Sequence, residues 1–263
     1  MNAPRLFFVS QLTTPDIIED VDLAIREGFQ GIEIALDWKQ NCDFTSSQIE
    51  TLAKKKRLEQ IDYILHTPYY LTTSTFLPEI RKAVIEYFKK VLMICEKIGA
   101  DRVTVHPGWC EMPAPAKQLN LDALVDLLGT IVDLAEQIGV SICLENFESN
   151  PIVLCGDIEE YSWVLSQVKG LCSTLDIGHA NVGTASPINF IQTLRPLIKN
   201  MHIHDNSGGQ DEHLPIGMGN IDYQELLSVC KQNDYWGPFT LEVIGKENIL
   251  KCRDSFYSVW QSE

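Results

Sequence analysis

The sequence is short of positive charge. Its 263 residues hold 21 lysines and arginines against 36 aspartates and glutamates, a formal net charge of -15. Such a surface repels phosphate backbones and anionic membranes, although a local basic groove would be hidden in the average. Long apolar runs are also missing. No stretch approaches the ~20 apolar residues that a spanning helix needs, so no membrane segment is expected. The opening MNAPRLFFVSQL has one arginine and a brief apolar run, so no signal peptide is expected. The eight cysteines include no C-x-x-C pair, and several sit in apolar runs such as Ile142-Cys143-Leu144. That pattern suits buried, reduced thiols in a cytoplasmic protein better than a disulfide framework. Low-complexity tracts and linkers are absent, and residues 1–263 read as one domain.

What is present is a strict alternation of short apolar runs and amphipathic stretches. The runs are 6–9, 31–35, 61–65, 102–105, 141–144, 171–175, 200–202 and 239–241. Helices are expected between them: one from a Thr14 cap with Pro15 first, then one capped at Thr45-Ser46, and Pro78–Ile98 closed by Gly99. Further helices are expected at 121–138, 157–168, 187–197, 223–233 and 247–259. Strict βα alternation implies a parallel sheet, because each crossover needs a helix. Eight units in a chain near 250 residues imply an α/β fold, a single (β/α)8 TIM barrel. An open doubly wound sheet is disfavoured, because Ser10-Gln-Leu-Thr-Thr after the first run is no Gly-rich phosphate loop.

In such a barrel the C-terminal strand ends converge on the face that carries the active site. The expected strand ends are Glu33, His66, His106, Glu145, Asp176, His202 and Glu242. His179 follows Asp176 by three residues, and the loop 201–222 adds His204, Asp211 and His213. No histidine falls in a segment read as a helix. Glu145, Asp176, Asp211 and Glu242 in one mouth would repel strongly without cations, and imidazole with carboxylate is a standard donor set for divalent metals. A bland alternative exists for each residue alone. Glu33, for example, would suit an inward position paired with an arginine.

The motifs His106-Pro-Gly108, Leu144-Glu-Asn146, Leu175-Asp-Ile-Gly-His179, His202-Ile-His-Asp205, Asp211-x-His213, Gly217-x-Gly-Asn-Ile221 and Leu241-Glu-Val243 resemble those of the xylose isomerase-like TIM barrels. That group includes sugar isomerases and epimerases and also endonuclease IV. The epimerase-like members imply one divalent ion (manganese, cobalt, magnesium or zinc) on Glu145, Asp176, His202 and Glu242. Glu145 and Glu242 would exchange a proton beside a carbonyl, and His179 would contact the substrate. The endonuclease IV-like members imply up to three zinc ions. Their ligands would be His66, His106, Glu145, Asp176, His179, His202, Asp211, His213 and Glu242, for phosphodiester cleavage.

The loops 66–75 and 109–116 carry no Lys or Arg, which favours a small sugar-like substrate over nucleic acid. Tyr69 and Trp109 would wall its pocket, with Glu33 as a further contact. The run Lys54–Arg57 reads as a solvated helix face. A barrel that binds metal and ligand without turnover is a third reading. The helix faces would permit a homodimer without demanding one. Candidate lids are 11–14, 37–44 and 69–76.

Overall fold

The computed structural model describes residues 3–11, 13–41, 43–110, 116–183 and 185–262. Leu12, Cys42 and residues 111–115 lie outside the described residues. Two of the candidate lids and the loop after Trp109 are therefore described only in part.

Eight strands are present among the described residues: β1 Arg5–Phe8, β2 Gly31–Ala35, β3 Asp62–His66, β4 Arg102–Val105, β5 Ser141–Glu145, β6 Cys172–Asp176, β7 Ile198–Ile203 and β8 Pro238–Leu241. All ladders are parallel and run in the order β1-β8-β7-β6-β5-β4-β3-β2. β1 and β2 meet through one bridge, Val9 to Glu33, and a 2.8 Å bond from the Ser10 N–H to the Glu33 carbonyl. The result is a nearly closed (β/α)8 barrel, as expected.

The helices are α1 Ile17–Arg26, α2 Ser46–Glu59, α3 Pro78–Ile98, α4 Ala116–Glu136, α5 Ile158–Gln167, α6 Ile177–Val182, α7 Pro187–Leu194, α8 Tyr223–Gln232 and α9 Lys246–Ser262. Strand residues alternate in facing. Leu6, Phe8, Ile32, Ile34, Val103, Val105, Ile142 and Leu144 point outward and join the core beneath the helices. Each such burial contributes about 1.5–3 kcal/mol. The alternate residues fill the interior, and in its middle they are polar. The Thr104 and Thr174 hydroxyls are 3.0 Å apart, and Thr240 donates to the Asn200 side-chain carbonyl at 2.8 Å. This polar layer is the floor on which the mouth residues stand.

Several expectations are corrected. α1 starts at Ile17 with Asp16 as its cap, because Asp16 accepts from the Ile18 N–H while the Thr14 hydroxyl is spent on Asp20. α4 begins at Ala116 rather than 121, and α7 ends at Leu194, where Pro196 forces a 3-10 turn. α6 was not expected at all, and it carries His179, so one histidine does lie on a helix. Glu33 is the third of five residues in β2, not its end.

A candidate metal centre at the barrel mouth

The strand ends set the positions of the site residues. His66, Glu145 and Asp176 are the last residues of β3, β5 and β6, His202 is the fifth of β7, and His106 and Glu242 directly follow β4 and β8. Asn146 clasps the neighbouring strand: its side chain donates to the Asp176 carbonyl at 3.0 Å and accepts from the Asp176 N–H at 2.8 Å. Asp176 then caps α6 by accepting from the His179 N–H at 2.6 Å. This cap turns His179 back over the mouth.

Four groups result among the described residues, each with donor atoms within 4.8 Å of one another; three stand at the mouth, and the fourth, Glu33 with His66 and His202, lies below them. In the first, His202 Nδ1 lies 2.9 Å from Glu145 Oε1, 3.0 Å from Glu242 Oε2 and 3.6 Å from Asp176 Oδ2. In the second, the Nε2 atoms of His66 and His106 are 3.2 Å apart and lie 3.3 and 3.1 Å from Glu145 Oε2. Glu145 therefore faces the two groups with different oxygens.

The third group gathers around Asp211. His179 Nε2, His213 Nε2 and His204 Nδ1 approach its carboxylate at 3.4, 2.7 and 3.6 Å. The other nitrogen of each ring is already used. His179 Nδ1–H donates to the Asn146 carbonyl and His213 Nδ1–H to the Glu242 carbonyl, both at 2.8 Å, and His204 Nε2–H donates to Asp176 at 3.1 Å. With the rings neutral, these bonds would leave three lone pairs converging beside Asp211. His213 holds its place in a left-handed backbone conformation, φ 48°, which is uncommon outside glycine.

His204 was not among the expected ligands. It directly follows β7, two residues after His202, and the period of two carried one step past the strand places both rings on the same side. That spacing was the available signal.

The electrostatics fit a cation-loving centre. Burial pushes the Glu145 carboxyl up, but His202 and His106 outweigh it and hold its pKa well below the usual range. Asp176 is likewise pushed up by burial and held far lower by His179 and His204. Burial pushes His202 down, yet Glu242, Glu33 and Glu145 raise it well above an ordinary imidazole. His66 rises to about 9, where Glu145 and Glu33 outweigh its burial. Protons on histidine stand where metal charge would. Buried Glu145 Oε2, Glu242 Oε2, His204 Nδ1 and Asp211 Oδ1 have no hydrogen-bond partner. Orphaned donor atoms of this chemistry at this spacing fit divalent ions.

Above the second group opens a cavity of about 450 Å³, lined in part by His66, His106, Glu242, Trp38, Tyr69 and Tyr70. No lysine or arginine is among its described lining residues. Tyr69 lines this cavity, its ring 5.2 Å from that of His106. Trp109 does not line the cavity but backs it, 5.1 Å behind Tyr69 and stacked on Tyr70 at 6.4 Å. Trp38 was missed; the Ser10 carbonyl accepts its indole N–H at 2.8 Å. Glu33, expected to touch substrate, is fully buried below the mouth and lines no part of this cavity. A second cavity, of about 570 Å³, opens around Arg102, Arg195, Lys199 and Trp236, away from all three groups.

Fold and mouth together define a TIM barrel with histidines and carboxylates gathered at its catalytic face. The model of the xylose isomerase-like TIM barrel family matches residues 21–255, and the chain belongs to that family. An uncharacterized protein of Methanocaldococcus jannaschii is 30% identical over 228 residues, covering 82% of this chain and 78% of that protein. A probable endonuclease 4 of Mycoplasma pneumoniae is 22% identical, covering 69% of this chain and 68% of that protein. Among solved structures, a D-tagatose 3-epimerase-like protein is 25% identical, with a TM-score of 0.89 over 98% of this chain and 97% of that one. IolI protein with a bound zinc atom is 22% identical, with a TM-score of 0.85 over 98% of each chain.

Proposed function

We propose that the protein is a divalent-metal-dependent isomerase or epimerase of a small, sugar-like polyhydroxy carbonyl compound. The observation that carries this reading is the convergence of Glu145 and Glu242 on one histidine nitrogen, beside a cavity of about 450 Å³ without lining lysine or arginine. The likeness to a D-tagatose 3-epimerase-like protein supports it.

Glu145, Asp176, His202 and Glu242 would hold the ion. When bound, a divalent ion polarises a carbonyl and stabilises the negative charge that develops on its oxygen. Glu145 and Glu242 reach the centre from β5 and β8, with two strands between them. One carboxylate takes the proton from the carbon beside the carbonyl. The other, entering protonated, delivers a proton to the carbon skeleton. Two bases on opposite faces invert a centre, which one base on one face does not. Trp38, Tyr69 and Tyr70 offer apolar faces to sugar C–H groups, and His66 and His106 offer polar edges.

The test is exchange of the substrate's carbon-bound hydrogen in heavy water. Protein purified without chelator, loaded in turn with manganese, cobalt, magnesium or zinc, is mixed with a panel of keto-sugars and read by proton NMR. Metal-dependent exchange that disappears in Glu145→Gln and Glu242→Gln is expected. No exchange with any sugar under any metal overturns the reading.

One observation favours a second reading. All nine positions of the endonuclease IV-like pattern are assembled in the three groups, and a relative is named as a probable endonuclease 4. Cleavage of an abasic-site duplex would decide for it. The acidic chain and the cavity without basic lining weigh the other way.

A further inference from the structure

Glu33 is a buried carboxylate that makes no ion pair with arginine or lysine among the described residues. Its side chain is 0% exposed. Its Oε2 accepts the Asn200 amide N–H at 2.7 Å and lies 3.1 Å from His202 Nε2. Its Oε1 lies 3.5 Å from His66 Nδ1. The Thr240 hydroxyl donates to the Asn200 side-chain oxygen at 2.8 Å, so the amide nitrogen must face Glu33. A relay from Thr240 through Asn200 thus fixes Glu33 as an acceptor. Buried carboxylates without such partners are costly.

The two histidines it faces belong to different groups at the mouth. His202 turns Nδ1 toward Glu145, Asp176 and Glu242. His66 turns Nε2 toward His106 and Glu145. We propose that Glu33 is a positioning residue that accepts the rear N–H of His202 and stands 3.5 Å from the rear nitrogen of His66 as its charge partner. It thereby leaves His202 Nδ1 as the lone pair that faces metal and favours the His66 tautomer that presents Nε2. Glu145 joins the two groups from above, and Glu33 joins them from below.

Glu33, His66 and His202 also lie close enough to hold an ion themselves. The geometry argues against that. Glu33 Oε2 is already occupied by Asn200. A neutral imidazole offers one lone pair, so His202 cannot serve this group and the mouth group together. Glu33 also lines no part of the cavity above, so it stands behind the mouth residues and not beside the open space. A carboxylate behind a metal-bound histidine raises its basicity and fixes its ring, and removing one lowers metal affinity about 10–100-fold.

The inference rests on the reading that the mouth holds divalent metal, so wild type is measured first. Zinc affinity is obtained by competition with a chelator, and long-range nitrogen–proton NMR of the zinc-loaded protein reports which ring nitrogen of each histidine carries hydrogen. Wild type that binds no zinc would sink the metal reading, and this inference with it. Wild type that binds zinc, with Glu33→Gln weaker by about 10–100-fold and the His202 and His66 ring signals displaced, is the expected result. Glu33→Asp should restore part of the affinity, because it keeps an acceptor and loses one methylene. Should Glu33→Gln fail to fold, Thr240→Val removes the hydroxyl that orients Asn200 and is read the same way, with a smaller loss expected. Unchanged affinity and unchanged ring signals in the folded variants overturn the positioning role while leaving the metal reading intact.

Discussion

Gly178 lies directly beneath His204: a methyl carbon added at Gly178 would stand 1.9 Å from the imidazole Cε1. The glycine of the Asp-Ile-Gly-His run is therefore a space requirement of the third donor group. Gly178→Ala should force the His204 ring away from Asp211 and cost about 1–3 kcal/mol through overpacking. His204→Asn should remove the same donor without the clash. Zinc counted per chain by plasma mass spectrometry should fall in both variants. An unchanged count in both would show that His204 holds no ion.

The carboxylate pair is tested by amides of the same shape. Glu145→Gln and Glu242→Gln should each lower turnover about 10²–10⁴-fold, the range of a lost general acid or base. Far-ultraviolet circular dichroism should remain that of wild type. Full activity in either variant would eliminate the two-glutamate exchange.

His66 and His106 meet each other at Nε2 and both approach Glu145 Oε2, the oxygen turned away from the first group. Replacing either with alanine should lower metal content if the second group is filled. A content unchanged from wild type in both variants would leave a single ion on Glu145, Asp176, His202 and Glu242.

Protons and metal compete for this mouth, which sets the pH dependence. In the metal-free chain His66 and His213 titrate at about 9, against an ordinary value of 6.5. Both values are raised, so their stabilisation is complete below pH 6.5 and is lost as pH climbs to about 9. Glu145, Asp176 and Glu242 are held low. Their contribution is present above the ordinary carboxylate range and is lost on acidification. The melting temperature of chelator-treated protein should therefore peak between roughly pH 5 and 6.5. Metal requires deprotonated histidine. The gain in melting temperature on adding zinc should accordingly widen from pH 6.5 toward pH 9. A gain that shrinks over that interval would contradict the assignment.

The eight strands were legible because each is a short apolar run followed by an amphipathic stretch, and six of the runs are closed by a charged or imidazole residue: His66, His106, Glu145, Asp176, His202 and Glu242. Thr45 and Gly99 act as the expected punctuation, one in a capping box and the other in a left-handed turn. α6 escaped notice because six residues hold less than two turns, too few for a helical period to show. α1 was placed early because Thr14 and Asp16 are both good caps, and only their partners distinguish them.

By itself the sequence determined the alternation of elements, the barrel and the donor-type residues that arrive at its mouth, because these follow from periodicity and from which residue ends each strand. Register and depth were decided only by the tertiary structure. A period-two strand says that Glu33 shares a face with Gly31 and Ala35, but not that this face meets Asn200 and His202 from the far side of the barrel. Trp109 and Trp38 are equally aromatic in sequence, yet one backs the cavity and the other lines it. Barrel closure brings together residues more than 150 positions apart, and distances across a closed sheet are properties of its twist and stagger.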